Sequence, residues 1–111
     1  MSKSSSASGI KHDQGKPNLS LLPASFIVGV TQVLDFGAKK YAAHNWRKGF
    51  AWSRTYSAAL RHLTAWNEGE QADSESGLSH LKHAACNLAF LIEFEEKRLG
   101  IDDRFKLDSE D

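Results

Sequence analysis

Hydrophobic positions fall into three runs at helical spacing. In the first, Phe26, Val30, Val33 and Gly37 follow one another at i, i+4, i+7 and i+11, and Ile27 and Leu34 widen the stripe. Pro23 suits the first turn because its φ is already helical, so the spacing predicts a helix from Pro23 to about Tyr41. Gly37 on the stripe costs about 1 kcal/mol in a helix interior, which predicts close approach of another backbone there. The next stretch, AAHNWRKGFAW, has no period and contains Asn45 and Gly49, so it reads as a loop. Ser53 is the expected N-cap of a second helix. That helix carries Tyr56, Leu60, Leu63 and Asn67 on one side and Ala59, His62 and Trp66 on the neighbouring side, with Arg61 and Glu68 elsewhere. After the loop GEQADSESG, Ser76 is the expected cap of a third helix running from about Gly77 to Leu99. Leu78, Leu81, Ala85, Leu88 and Ile92 form one stripe of it, and His80, His83, Asn87, Leu91 and Phe94 form a second. A helix with two such faces packs against more than one partner, and in so short a chain the second partner is another subunit. No alternation of period two is present. The fold class expected is all-α: a small bundle of three main helices completed as a homo-dimer or higher oligomer. Its expected core is Phe26, Val30, Val33, Leu60, Leu63, Leu81, Leu88 and Ile92.

The ends differ from this middle. Residues 1–14, beginning MSKSSSASG, are expected to form a mobile N-terminal tail, and the acidic 101–111 a C-terminal tail that frays. Residues 15–100 are left as a single helical domain, in keeping with a chain of 111 residues. Lys and Arg number 14 and Asp and Glu 14, so the net charge is zero and a general nucleic-acid binder is not expected. A 41% hydrophobic and 25% charged composition is that of a globular protein. The single cysteine, Cys86, excludes a disulfide framework and an all-cysteine zinc site within one chain, and is read as a small core residue. The longest uncharged run, 17–34, is interrupted by Pro23 and several polar residues and reads as a buried helix, not a membrane span. With no secretory pattern visible, a reduced, cytosolic setting is expected.

Two groups of residues carry candidate chemistry. The first is Glu68, Glu70, Asp73 and Glu75 in one loop, followed by His80 and His83 one helical turn apart. Oxygen donors at this density suit Mg²⁺ or Mn²⁺, and the two histidines equally suit Zn²⁺. The plainer reading is solvated acids and a helix cap. His62, His80, His83 and Asn87 lie on faces expected to look inward, where polar groups need partners. The second group is KKYAAHNWRKG with Arg54 after it. Lys40, Arg47 and Arg54 can neutralise phosphate, Tyr41 and Trp46 can stack a base, and Asn45 offers a donor and an acceptor to a purine edge. Here the plainer reading is a basic loop whose Trp46 plugs the core. Free N–H groups at a helix start near Ser76 and Gly77 offer a further place for phosphate. His12 lies in the tail, and no Gly-rich phosphate loop, serine elbow or dinucleotide fingerprint is present.

The stretches GKPNLSLLP, DFGAKKYAAHNWRKG and RHLTAWNEGEQADSESGLSHLKHAACNLAFLIE resemble the phage family of dATP/dGTP diphosphohydrolase N-terminal domains, over roughly Gly15 to Glu95. That family is similar to all-α nucleotide pyrophosphohydrolases of the MazG kind. Those enzymes are oligomers that split a nucleoside triphosphate to monophosphate and pyrophosphate with Mg²⁺ held by Glu and Asp on two adjacent helices. The chain departs from their carboxylate pattern: the matching stretches carry His62 on one helix and His80, His83 and Asn87 on the next, with the acidic groups in the loop between. The resemblance therefore implies a divalent metal held by Glu70, Asp73, His80 and His83, catalysis by Glu70, Asp73 and His83, and a purine nucleotide held by Lys40, Tyr41, His44, Asn45, Trp46, Arg47, Arg54 and His62. The expected function is metal-dependent hydrolysis of purine (deoxy)nucleoside triphosphates in the host cytosol. Sequestration of a signalling nucleotide without hydrolysis is the alternative, and a zinc-stabilised structural oligomer a third reading.

Overall fold

A computed structural model describes residues 8–106. The expectations for the outermost residues of both tails, 1–7 and 107–111, lie outside the described residues. The architecture is all-α. Helix α1 spans Ala24–Lys40, α2 Trp52–Asn67 and α3 His80–Lys97, with short 3-10 turns at Leu19–Leu21 and Asn45–Lys48. Pro23 is the N-cap of α1, and Tyr41 closes it by donating its N–H to the Gly37 carbonyl. No helix among the described residues is long and apolar enough to cross a membrane.

Helices α2 and α3 pack antiparallel. His62, late in α2, meets His80 at the start of α3, while the Trp52 indole N–H at the other end donates to the Leu99 carbonyl at 2.8 Å. Small residues at the crossing, Ala59 and Ala84, are both buried and let the backbones approach. Helix α1 lies against α3. The connecting loop rests on the same helix through Trp46, which stacks on Phe90 with centroids 4.5 Å apart. Phe94, fully buried, anchors this end with Phe50 at 6.0 Å.

Two helix starts differ from expectation. Ser53 does not cap α2. The cap position is Ala51, two residues earlier, and Asp103 accepts from the Ser53 backbone N–H at 2.9 Å and from its hydroxyl at 2.6 Å. Those bonds hold the Asp103 carboxyl below the usual carboxylate range. The start of the acidic C-terminal stretch is thus tied down. Ile101 donates to the Phe50 carbonyl and accepts from the Trp52 N–H. Gly49 and Gly100, both at positive φ, make this crossing possible, since a Cβ on Gly100 would run into the Phe50 carbonyl. Helix α3 starts later than expected, capped by Ser79, whose hydroxyl accepts from the Leu81 N–H. Ser76 is instead held in a turn in which Asp73 accepts from the Glu75 and Ser76 N–H groups.

The core is rotated from the expected one. Buried positions are Gly29 on α1, Thr55 and Ala59 on α2, and His80, His83, Ala84, Cys86 and Phe94 on α3. Phe26, Leu60, Leu63, Leu81, Leu88 and Ile92, expected inside, are 38–61% exposed, and Val30 and Val33 are half-buried. The cause is the choice of face: Thr55 and Ala59 on α2, and His80 and Ala84 on α3, each precede a member of the apolar stripe by one position, about 100° around the helix. In an antiparallel pair that rotation turns both stripes to the same side, so they form one apolar face. Close approach also falls elsewhere: nothing lies near Gly37, while a Cβ on Gly29 would meet the Lys82 side chain at 3.0 Å. Cys86 is buried as expected, and burial pushes its thiol up to about 12.

Candidate functional site

Opposite the apolar face, α1, the Tyr41–Phe50 loop and the inner side of α2 and α3 enclose a cleft of about 1020 Å³. That is at the upper end for a small-molecule site. Its cations come from three directions: Lys40 from the end of α1, Arg47 from the loop, and Arg54 and Arg61 from α2. Arg54, Ser57, Ala58 and Arg61 share one helical face at i, i+3, i+4 and i+7, the side of α2 opposite its apolar stripe.

The loop is shaped by its own side chains. His44 takes a left-handed conformation, φ 65°, and its Nδ1 accepts from Arg47 Nε at 2.9 Å. The Arg47 guanidinium then lies 4.4 Å over the Trp46 ring, which also stacks on Phe90. Trp46 is therefore a packed side chain, its ring engaged by both Phe90 and Arg47. Tyr41 is 65% exposed at the cleft and has its ring open apart from Lys40, 5.3 Å away. Lys40 Nζ is paired with Glu75 at 2.6 Å, which raises the Lys40 pKa and closes α1 against the loop before α3.

One end of the cleft is built of histidines. His62 and His83 stack at 4.5 Å, and His62 Nδ1 lies 2.8 Å from His80 Nδ1. His80 Nε2 points at Glu70 Oε1, 3.2 Å away. His83 Nε2 sits 2.6 Å from Ser76 Oγ and 3.9 Å from Asp73 Oδ2. Burial, with the neighbouring histidines adding to it, lowers the His62 pKa. Burial also lowers that of His83, against the opposing pull of Asp73. Both imidazoles therefore favour the neutral form, which presents a lone pair. Asp73 is partly desolvated, which alone raises its pKa. The N–H and hydroxyl of Ser76, with His83 and His62, outweigh this and hold it low, so Asp73 is an anion.

The structure thus brings Lys40, Tyr41, His44, Asn45, Trp46, Arg47, Arg54, His62, Asp73 and His83 to one cleft. Glu70 and His80 stand just behind it. Of the residues expected to hold metal, Asp73 and His80 converge with His62, their donor atoms all within 4.8 Å of one another. Glu70 reaches the group through His80, and His83 through Asp73 and Ser76. Lys39, Lys48 and Glu68 are not part of the lining. The N–H groups of Ser76 and Gly77, expected to be free for phosphate, are both taken by Asp73. Asp35 and Ser57 are polar groups of the site that the sequence did not single out, Arg61 had no role assigned, and Ser76, expected as a cap, instead holds His83. Polar spacing along the inner side of α2 was the available signal for Ser57 and Arg61.

Residues 6–104 match the family described as dATP/dGTP diphosphohydrolase, N-terminal. A relative named dATP/dGTP diphosphohydrolase from Salmonella phage PMBT28 is 40% identical over 96 residues, which is 86% of this chain and 33% of the relative. The chain therefore spans about a third of that protein's length. No solved structure matches.

Proposed function

The chain belongs to the dATP/dGTP diphosphohydrolase N-terminal family, and on that premise we propose that its cleft binds a purine deoxynucleoside triphosphate and hydrolyses it to monophosphate and pyrophosphate. The observation that carries this reading is the cleft's polarity from end to end. Lys40, Arg47, Arg54 and Arg61 surround a space that closes on His62, Asp73 and His83. In a chain without net charge, such clustering is what attracts a polyphosphate. Tyr41 and Asn45 at the cleft supply an open ring and an amide for the base.

The reaction asks for little covalent work from the protein. A water oxygen bonds to the α-phosphorus, the bond from that phosphorus to the bridging oxygen breaks, and pyrophosphate leaves. His83, neutral and desolvated, takes the proton of the attacking water, and Asp73 steadies the imidazolium that results. Arginines positioned on the phosphates stabilise the charge that develops there. Hydrolysis is proposed to depend on a divalent ion, Mg²⁺, Mn²⁺ or Zn²⁺, and the histidine and carboxylate donors at this end fit the last two better than the first. Such an ion, when bound, supplies positive charge to the phosphate oxygens. Phosphorus NMR of dGTP and dATP incubated with the protein and each metal tests the reading. The expected signals are monophosphate and pyrophosphate, and their absence with every metal would contradict hydrolysis. The second reading, capture of an intact nucleotide, is favoured by one observation: the activity in the relative's name belongs to a protein of which this chain spans a third. Recovery of unaltered triphosphate from a denatured complex distinguishes it.

The same reading includes a second copy of the chain. Tyr56, Leu60, Leu63, Leu81, Leu88 and Ile92 leave on the order of 500 Å² of apolar surface on one side of the α2–α3 pair. That lies toward the upper end of the roughly 300–600 Å² of the largest patch on a monomer, where such patches often serve an interaction, and is over half of the roughly 800 Å² one partner gives to a standard interface. The stripes carry no charged side chain, so a two-fold copy can lay α2 and α3 on their counterparts in a four-helix arrangement of the MazG kind. Light scattering at micromolar concentration is expected to give a dimer or larger assembly, and a monomer would contradict it.

A further inference from the structure

We infer that His62, His80 and Asp73 form a two-histidine, one-carboxylate site for a first-row transition-metal ion of the zinc class, with Glu70 as the group that orients His80. The inference rests on the reading of the cleft as a metal-dependent nucleotide site and specifies its ion and ligands. It begins with a tautomer. Glu70 Oε1 lies 3.2 Å from His80 Nε2, and a carboxylate oxygen can only accept from it, so the His80 proton belongs on Nε2. That leaves the His80 Nδ1 lone pair aimed inward, 2.8 Å from His62 Nδ1. A carboxylate holding the far nitrogen of an imidazole whose near nitrogen faces other donors is the outer arrangement that metal-ligating histidines use.

The remaining donors agree. His80 is 5% exposed, so its inward nitrogen is shielded from bulk water, and its only inward hydrogen-bond partner among the described residues is another imidazole nitrogen. Asp73 brings an anionic carboxylate, and the donor atoms of all three residues lie within 4.8 Å of one another. The two nitrogens stand closer than the roughly 3.3 Å that tetrahedral bonds of about 2.0–2.1 Å to zinc require, so binding parts the two rings slightly. Two imidazoles and one carboxylate suit zinc, manganese, cobalt or iron(II). They suit magnesium poorly, since it prefers oxygen donors throughout. Three protein ligands leave a position open toward the cleft, where the phosphates are proposed to lie. His83 is kept out of the ligand set by Ser76, 2.6 Å from its Nε2.

Calorimetric titration of the chelator-stripped full chain with Zn²⁺, Mn²⁺ and Mg²⁺ tests the site without reference to activity. One zinc per chain is expected, displaceable by manganese at higher concentration and not by equimolar magnesium. His62→Ala and Asp73→Asn are expected to weaken zinc at least 100-fold, and Glu70→Gln 10- to 100-fold. His83→Ala is expected to keep the stoichiometry. Should His62→Ala lose helix content by circular dichroism, His62→Gln replaces it. Failure of the wild-type chain to take up zinc, or loss of uptake in His83→Ala with retention in His62→Ala, would overturn the assignment. Nucleotide cleavage supported by magnesium alone in a chain that takes up no zinc would overturn this ligand set while leaving the hydrolase reading intact.

Discussion

The two sides of the α2–α3 pair are opposites of what burial alone would choose. The side turned toward the cleft buries Thr55, His62, His80, His83 and Asn87 wholly or in part, with Ala59 and Ala84 between them. The other side leaves Tyr56, Leu60, Leu63, Leu81, Leu88 and Ile92 at the surface of a single chain. Full burial of a leucine contributes about 1.5–3 kcal/mol, so an isolated chain forgoes a large part of its available stabilisation. The difference teaches a division of labour. Polar groups whose chemistry needs a dry, fixed setting take the interior of the chain, and the apolar stripes are left on the surface, the face proposed above for a second copy.

The comparison can be broken most severely at its anchor. Phe94→Ala removes the fully buried ring that joins the loop aromatics to α3, and an expected loss of about 3–5 kcal/mol would show in urea or thermal melts. Leu88→Asp on the outer face is expected to leave helix content intact but convert the assembly to monomer in size-exclusion light scattering. Unchanged mass would mean that the stripe is not an interface. The inner face is tested by pH. In the chelator-treated protein, His62 and His83 have pKa values lowered by folding, so the unfolded chain binds more protons between the folded and unfolded values. Their contribution is present above about pH 6.5 and is lost as pH falls through the lowered folded values, so the melting temperature should drop from pH 7.5 to 5.5. A His62→Gln, His83→Gln double variant should flatten that slope. The smallest effect is kinetic: Cys86, buried with its thiol pushed up to about 12, should resist thiol reagents in the folded protein and react only on unfolding.

Much of the fold was legible in the residues. Pro23 and Tyr41 bound α1 as the spacing implied, and all three helices are present. Which face of each helix turns inward was not legible, because small and polar residues, Thr55, Ala59, His80, His83 and Ala84, form the α2–α3 contact, and hydrophobic spacing does not mark such a face. Two caps were hidden for a related reason. Ser53 takes its partner from Asp103, fifty residues on, and Ser76 is absorbed by Asp73 and His83, so local spacing could not reveal either role. The candidate site was more accessible. The basic, aromatic loop and the histidines announced themselves by type, and the cleft gathers them. What type could not show was that Trp46 is engaged by both Phe90 and Arg47, or that His62 joins Asp73 and His80.

The central claim is that the cleft holds a nucleoside triphosphate through the cations of α2. Titration of dGTP into the wild-type chain and into the Arg54→Ala and Arg61→Ala variants tests it most directly. Both side chains lie along the cleft on an exposed face, so melting should change by no more than about 0.5 kcal/mol. The account predicts saturable binding to wild type that weakens at least tenfold in each variant. Equal affinity in all three proteins, or no binding to any, would contradict it.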